Sequence, residues 1–375
     1  SCIFKKKKLI QIFLILFSIY LIWKVSSSFD LAANYLTRNM GEGIKGPTVN
    51  AVASSLPELM ISSLFLFFYK DINGFSAGFA TIIGSSAFNI AIIPVIAYIF
   101  ALKKNQIQAF KVDKKIVLQD GIFLLISIIL LGLGFIIGLN IYYALILITT
   151  YLFYILFIYK KRHINHNKIN DKIGHINDKF ENGLKWTYFK SLINLRIYNI
   201  FGFKNINSLN STIVIIISVL IISFACYSLV EVVENISENY GVNLFITAFF
   251  IAAISSSVPD TILSIKDAEN NQFNDSFSNT YGSNIFDICI GIGLPIFIYS
   301  LFNEPISIDT PVERLGLTNF GDKLFDGNLL VWSTVVLFVF TLLISLIYLS
   351  EKINKKNIPY ILVLYFLYII GLVLF

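Results

Sequence analysis

Two acidic residues stand beside prolines inside stretches that are otherwise almost entirely apolar. Residues 51–58 read AVASSLPE and residues 253–260 read AISSSVPD, so each stretch has two hydroxyl residues directly before an apolar residue, a proline and a carboxylate. A proline interrupts the hydrogen-bond ladder of a helix and releases backbone carbonyls about one turn earlier. Carboxylate, hydroxyl and carbonyl oxygens are hard ligands, which suit Ca²⁺, Na⁺, K⁺ or H⁺ and offer nothing to copper or zinc.

A second shared motif follows each of these stretches. Residues 84–89 read GSSAFN and residues 282–287 read GSNIFD, so the motif ends in Asn89 in one copy and in Asp287 in the other. The spacing from the carboxylate to the glycine is also similar in the two copies. Two motifs in the same order and at similar spacing indicate an internal repeat.

The acidic residues of these motifs need a partner that offsets the free-energy cost of placing a carboxylate in a bilayer. Inserting Glu58, Asp260 or Asp287 into a bilayer costs several kcal/mol each, and no Lys or Arg lies at matching depth. Protonation with hydrogen bonding would account for a single acid, but three acids at repeated positions favour a bound cation. The predicted ligands are the carboxylates of Glu58, Asp260 and Asp287, the amide of Asn89, the hydroxyls of Ser54, Ser55, Ser85, Ser256, Ser257 and Ser283, and backbone carbonyls near residues 51–54 and 253–256.

The composition shows what kind of element carries these motifs. Of the 375 residues, 56% are hydrophobic and only 14% are charged, against about 25% charged in soluble domains. Apolar runs such as residues 122–158 are long enough for helices that cross a bilayer of about 30 Å. The chain is therefore predicted to be a polytopic helical membrane protein. Despite a net charge of +6, a soluble enzyme, a disordered chain and a nucleic-acid binder are excluded.

Apolar windows predict an all-α membrane protein with ten transmembrane helices. The predicted spans are residues 9–25, 43–69, 75–101, 117–138, 141–159, 211–234, 242–266, 276–301, 328–349 and 358–375. The stretch 26–42 is mixed in composition, and an extension of the first helix into it is left open.

A basic loop divides these spans into two halves of five. The halves are residues 1–159, with the first repeat at 43–101, and residues 211–375, with the second repeat at 242–301. Five is an odd number, so the second half must enter the membrane in the opposite direction, which gives two inverted five-helix repeats.

The distribution of Lys and Arg among the loops predicts how the protein is oriented in the membrane. The loop 160–210 contains ten of the 29 Lys and Arg residues and is therefore predicted to be cytoplasmic, with both termini on the other side. Lys5 to Lys8 oppose this assignment. Which membrane the protein occupies remains open.

With these motifs the sequence resembles the cation/Ca²⁺ exchanger superfamily, whose two α-repeats carry the patterns G-T-S-x-P-E/D and G-S-N-x-x-N/D. The combination of Glu58, Asp260 and Asp287 is similar to the K⁺-dependent Na⁺/Ca²⁺ exchangers. The resemblance implies that Glu58 and Asp260 are the central Ca²⁺ and Na⁺ carboxylates. It also implies that Asp287 serves K⁺, with Asn89 as its partner in the first repeat.

The resemblance extends to the other predicted ligands and to the motion. Hydroxyl ligand positions of the family fall on Ser55, Ser85, Ser257 and Ser283, and its carbonyl positions fall on Ala51 and Ala253. The first and sixth spans would slide as a pair across the other eight. The sequence departs from the family where Gly-Thr is expected before the motif serine, because residues 53–54 read AS and residues 255–256 read SS.

The function expected from these observations is antiport of Ca²⁺ against Na⁺ by alternating access, with K⁺ co-transport left open. A Ca²⁺/H⁺ or other cation antiporter is the alternative. An intramembrane aspartyl protease using Asp260 and Asp287 is a distant alternative, because its Gly-x-Gly-Asp motif is absent and Glu58 and Asn89 would be unexplained. We expect no enzymatic activity and no cofactor. The expected partners are inorganic cations and the lipid bilayer, not nucleic acid, and the oligomeric state is left open.

Overall fold

Helices account for every regular element in the part of the chain that the structure describes. The computed structural model describes residues 2–37, 46–105, 109, 111–162, 184–203, 206–306, 329–350 and 353–373. Within those ranges the only bridge between extended residues joins Leu139 and Ile306. The prediction of an all-α protein is confirmed.

The first half contains long helices separated by short breaks. These are α1 (Cys2–Leu36), α2 (Ala51–Ser54), α3 (Leu56–Tyr69), α4 (Ile72–Asn105), α5 (Lys114–Ile137) and α6 (Ile141–Arg162), with a π-helical segment at Gly46–Asn50. Helix α1 continues beyond residue 25, the end of the predicted first span, to Leu36, in line with the extension left open for the stretch 26–42.

The second half begins with two short helices. These are α7 (Leu184–Ile193) and α8 (Ile197–Ile200), followed by α9 (Ser208–Tyr240), α10 (Leu244–Thr247), α11 (Ala253–Ser256), α12 (Val258–Glu269), α13 (Phe273–Phe286), α14 (Gly293–Phe302), α15 (Leu329–Ser350) and α16 (Ile358–Val373), with π-helical segments at Ala248–Ala252 and Asp287–Ile292. The predicted loop 160–210 thus contains α7 and α8, and its residues 163–183 lie outside the described ranges.

The described residues do not confirm the ten spans expected. Eight helices in the described ranges are long and apolar enough to cross a membrane, and a bent pair raises the number to nine. The bent pair is Thr48–Ser54 with Leu56–Tyr69, at 47°. The expected tenth span, α16, has 16 residues, whereas a crossing helix needs about 20. A multi-pass membrane protein is supported, but the count of ten is not confirmed.

Prolines explain where two of the spans break. Pro57 stands in the first turn of α3 and Pro259 in the first turn of α12, where the missing N–H is of no consequence. The helix before each proline is affected, because proline has no N–H to donate to the carbonyl four residues earlier. That helix therefore stops short of the proline, so α2 ends at Ser54 and α11 ends at Ser256. Both predicted breaks are present, although only the first bends its span by more than 40°.

The four motif-bearing segments meet around α4. The most apolar window of α4 is 78% buried, against 22% for α1, so α4 is central and α1 is peripheral. Helices α3, α12 and α13 all pack against α4, while α1 packs along α9. The core therefore brings both copies of both motifs together.

Gly84 lies in tight contact with the second half of the chain. A Cβ atom added to Gly84 would lie 2.7 Å from the carbonyl oxygen of Phe249 and 2.8 Å from the Cβ of Ala253. Real Cβ atoms do not approach other atoms this closely, so the first residue of the 84–89 motif has to be glycine if α4 is to lie against the second repeat.

We expect Gly84→Ala to lower the melting temperature of the purified protein, because overpacking a tight contact costs about 1–3 kcal/mol. Gly132→Ala is the matched control, since its Cβ would meet Thr334 at 3.5 Å, an ordinary van der Waals distance. Thermal unfolding of both variants in one detergent is the measurement. Equal melting temperatures would contradict the tight contact.

Candidate ion-binding site

The helix breaks place one carboxylate from each half at the start of a new helix. Glu58 lies in the first turn of α3 and Asp260 lies in the first turn of α12. Both side chains are fully buried. A helix N-terminus carries partial positive charge, so this position stabilises a carboxylate that has no basic neighbour.

Hydroxyl groups from both repeats surround Glu58. Ser85 donates a hydrogen bond to Glu58 Oε1 at 3.1 Å, and Ser257 donates to the Ser85 hydroxyl at 2.9 Å. The Ser256 hydroxyl also faces Glu58. The second oxygen, Oε2, is buried without a hydrogen-bond partner. Glu58 therefore keeps one oxygen available to a ligand.

Asp260 is hydrogen-bonded through both of its oxygens. Ser283 donates to Oδ1 at 2.6 Å, and the Asn89 amide donates to Oδ2 at 2.9 Å. Asn89 also donates to the side-chain oxygen of Asn284 at 3.1 Å. The contact of Ser283 with Asp260 is the counterpart of the contact of Ser85 with Glu58, so the two copies use the same serine in the same way.

Asp287 differs from the other two acids in having no hydrogen bond. It begins the π-helical segment Asp287–Ile292 and is fully buried, and neither of its oxygens accepts a hydrogen bond. The Ser55 hydroxyl faces it, and the charges of Glu58 and Asp260 repel it. Single π-helical turns often occur at functional sites.

Two of the predicted hydroxyl ligands are bonded to their own helix. Ser54 donates to the carbonyl of Asn50 at 2.7 Å and lies 3.5 Å from the Ser283 hydroxyl. Ser256 donates to the carbonyl of Ala253 at 3.1 Å. Such bonds back to the helix are common for serine, so these hydroxyls would have to turn before they could bind an ion.

The predicted carbonyl ligands are also engaged. The Ala51 carbonyl accepts the Ser55 N–H at 3.0 Å, and the Ala253 carbonyl accepts the corresponding N–H of the second repeat at 3.1 Å. A proline withdraws its N–H from the carbonyl four residues earlier, which belongs to Ala53 in one copy and to Ser255 in the other. Each of these carbonyls also accepts a serine hydroxyl, Ala51 from Ser54 at 3.4 Å and Ala253 from Ser256 at 3.1 Å. A lone pair therefore becomes free for a cation only when that hydroxyl turns away.

All twelve predicted ligands are buried, and several of their oxygens have no hydrogen-bond partner. The unpartnered atoms are Glu58 Oε2, both carboxylate oxygens of Asp287, the Ser55 hydroxyl and Asn89 Oδ1. In the described ranges, no three His, Cys, Asp or Glu side chains are placed to hold a metal ion by themselves. A cation bound here would therefore also need hydroxyl, amide or carbonyl oxygens.

One fully buried carboxylate was missed by the sequence analysis. Asp120 accepts hydrogen bonds from the hydroxyls of Tyr154, at 3.2 Å, and Ser278, so it joins α5 and α6 to α13. A lone acid inside the predicted span 117–138 was a signal that could have identified it.

A family model and several known proteins match this chain. The family model described as sodium/calcium exchanger protein matches residues 10–160 and 210–375. Sodium/potassium/calcium exchanger 1 of Gallus gallus is 30% identical over 155 residues, which are 41% of this chain and 21% of that protein. The same exchanger of Bos taurus is 33% identical over 95 residues, 25% of this chain and 8% of that protein. The match thus spans about a fifth or less of these relatives.

Solved structures share the fold over nearly the whole chain. The crystal structure of the H⁺/Ca²⁺ exchanger CAX has a TM-score of 0.65 at 16% identity and covers 97% of this chain and 80% of that one. The sodium-calcium exchanger NCX_Mj has a TM-score of 0.57 at 21% identity, with 96% and 98% covered. At these identities the likeness concerns the fold alone.

Proposed function

The chain belongs to the sodium/calcium exchanger protein family, and from this premise we propose that it is a secondary active antiporter that exchanges Ca²⁺ for Na⁺, with K⁺ moving alongside Ca²⁺. The observation that carries the proposal is the buried meeting of Glu58 and Asp260 at two helix N-termini, with unpartnered oxygens on Glu58 and Asp287.

Charge balance supports exchange at this site. Two carboxylates, one from each half, can neutralise one Ca²⁺, whereas without a cation they repel each other. The same oxygens accept Ca²⁺, several Na⁺ ions or protons. Because one set of ligands cannot hold both cargoes at once, release of one ion accompanies binding of the other.

The choice of Na⁺ and K⁺ rests on the relatives. Those aligned with this chain at 30–33% identity are named sodium/potassium/calcium exchangers. Asp287, which has no hydrogen bond, is the proposed K⁺ ligand, and Asn89 is its proposed partner. Antiport of Ca²⁺ against H⁺ is the second candidate, favoured by the fold shared with CAX.

The proposed architecture has ten spans in two inverted halves, residues 1–159 and 211–375. The bent pair around Ser55 and the short helix α16 would then be the second and tenth spans. The loop 160–210 would be cytoplasmic. In the alternating-access step α1 and α9, which pack along each other, would slide together across the remaining helices and open the site to each side in turn.

Ion-gradient dependence tests the function directly. We expect proteoliposomes loaded with Na⁺ to take up radiolabelled Ca²⁺ when they are diluted into Na⁺-free buffer, because outward Na⁺ movement drives inward Ca²⁺ movement. External K⁺ should increase this uptake. Vesicles without an Na⁺ gradient are the control.

Two results would contradict parts of the proposal. Uptake that follows a pH gradient and ignores Na⁺ would identify the Ca²⁺/H⁺ antiporter instead. Uptake that needs Na⁺ but is indifferent to K⁺ would keep Na⁺/Ca²⁺ exchange and remove K⁺ co-transport.

A further inference from the structure

A cavity with three basic lining residues lies at one end of the bundle. It has a volume of about 390 Å³ and is bounded by α1, by the α7–α8 segment and by Lys266 on α12. A volume of this size fits a small-molecule group. None of the twelve predicted ion ligands lines it, so it is distinct from the ion site.

The lining charges favour an anion. Three basic side chains reach the cavity, Lys24, Arg196 and Lys266, and Asp30 is the only carboxylate among the lining residues that the structure describes. The remaining polar lining includes the amides of Asn194 and Asn199. Amide N–H and basic groups are the donors that bind phosphate oxygens.

The Lys24 ammonium group is held at the cavity wall. Its Nζ lies 4.1 Å from the centre of the Trp23 ring and donates to Asn194 Oδ1 at 3.2 Å. Both contacts hold the charge in place while leaving ammonium protons available, because a lysine has three donors.

Helix α7, which ends directly before the lining residue Asn194, has an exposed apolar face. Its residues Tyr188, Phe189, Leu192 and Ile193 are all more than 40% exposed. Their spacing puts them on one face of the helix. A short helix with an exposed aromatic and aliphatic face lies flat in the membrane interface, and Tyr is typical of that depth.

The α7–α8 segment is fastened to α1, so the cavity has defined walls. The Ser28 hydroxyl donates to the Leu195 carbonyl at 2.9 Å and accepts the Ile197 N–H at 3.3 Å. The Tyr20 hydroxyl donates to the carbonyl of Ile193. These bonds connect α1 to the segment on both sides of the turn between α7 and α8.

We propose that this cavity binds the phosphate of an anionic phospholipid headgroup. Its three basic residues match a headgroup with net negative charge, and the apolar face of α7 lies beside it to contact acyl chains. A smaller neighbouring cavity shares Trp23, Asp30 and Lys266 and reaches Ser54 at the ion site. A bound lipid would therefore also affect the wall of α1 that faces the ions.

Binding to the full chain in detergent tests this assignment. The probes are short-chain phosphatidylglycerol, short-chain phosphatidylcholine of equal chain length, and inorganic phosphate. We expect phosphatidylglycerol to bind best, and each of Arg196→Gln and Lys266→Gln to weaken it about fivefold, the contribution of one basic residue near a membrane surface.

Matched variants separate the cavity from general surface charge. Lys103→Gln should bind like the parent, because Lys103 is an exposed lysine at the same end of the bundle, where its neighbour Lys104 pairs with Glu269 of α12 at 3.0 Å. Lys266→Arg, which keeps the charge, should also bind like the parent and shows that the site tolerates substitution.

Three outcomes would overturn the proposal. Equal binding of phosphatidylcholine would remove the requirement for charge. Equal loss in Lys103→Gln would indicate a diffuse surface effect. Inorganic phosphate that binds as tightly as phosphatidylglycerol would assign the cavity to a soluble anion instead of a lipid. None of these outcomes depends on which ions are transported, so they do not bear on the proposed exchange.

Discussion

Asp260→Asn will reduce Na⁺-driven Ca²⁺ uptake into proteoliposomes by at least about a hundredfold. Loss of a residue that only supports a metal ligand already costs about 10–100-fold in affinity, and Asp260 is proposed as a direct ligand that carries one of two central charges. The variant should still fold, because asparagine has the same shape and can keep hydrogen bonds to Ser283 and Asn89, which reach both oxygens in the parent. Glu58→Gln should have the same effect.

Asp113→Asn is the control for an Asp-to-Asn change outside the site. Asp113 caps α5 by accepting the Lys115 N–H at 2.9 Å, and asparagine is an equally good cap, so uptake should not change. A folded Asp260→Asn protein whose uptake stays within a few-fold of the parent would remove Asp260 from the ion ligands.

The sequence was sufficient to locate the three acids because each stands alone in an apolar stretch. Glu58 and Asp260 are recognisable from one repeated pattern, and the adjacent prolines also predict the helix breaks that the structure contains. Burial of these side chains follows from the same reasoning, since charge in an apolar span must face the protein interior.

Pairings across the repeats could not be predicted, because they depend on how the helices pack. The Asn89 amide, which the resemblance makes the counterpart of Asp287 in the first repeat, donates to Asp260 and Asn284 of the second half. The end of α1 could not be determined from composition either: the mixed residues after residue 25 continue the helix, along which α9 packs. Tertiary contacts of this kind override local composition.

The three acids differ in how many of their carboxylate oxygens accept hydrogen bonds, a difference that only the structure reveals. Asp260 has hydrogen bonds to both oxygens, Glu58 has one to a single oxygen, and Asp287 has none. A buried polar group without a partner costs about 1–3 kcal/mol, and a charged group costs more. Without ions, the site is therefore least stable at Asp287, which is also where the charges of the other two acids add their repulsion.

Asp287→Asn should consequently have two opposite effects. In buffer free of Na⁺, K⁺ and Ca²⁺ the melting temperature should rise, because a repelled, unpartnered carboxylate is replaced by a neutral amide that can contact Ser55. Stimulation of Ca²⁺ uptake by K⁺ should be lost, because the proposed K⁺ ligand has lost its charge. Thermal unfolding and uptake with and without K⁺ measure the two effects separately.

The ion-free melting temperature of Asp260→Asn is the comparison for that of Asp287→Asn. Asp260 is already hydrogen-bonded at both oxygens, so its replacement relieves only repulsion and should raise the ion-free melting temperature less. A melting temperature that falls in Asp287→Asn would mean that the carboxylate is stabilised where it lies. Stimulation by K⁺ that persists in this variant would place K⁺ at other oxygens. The first result concerns the free protein and the second its cargo, so either can fail without the other.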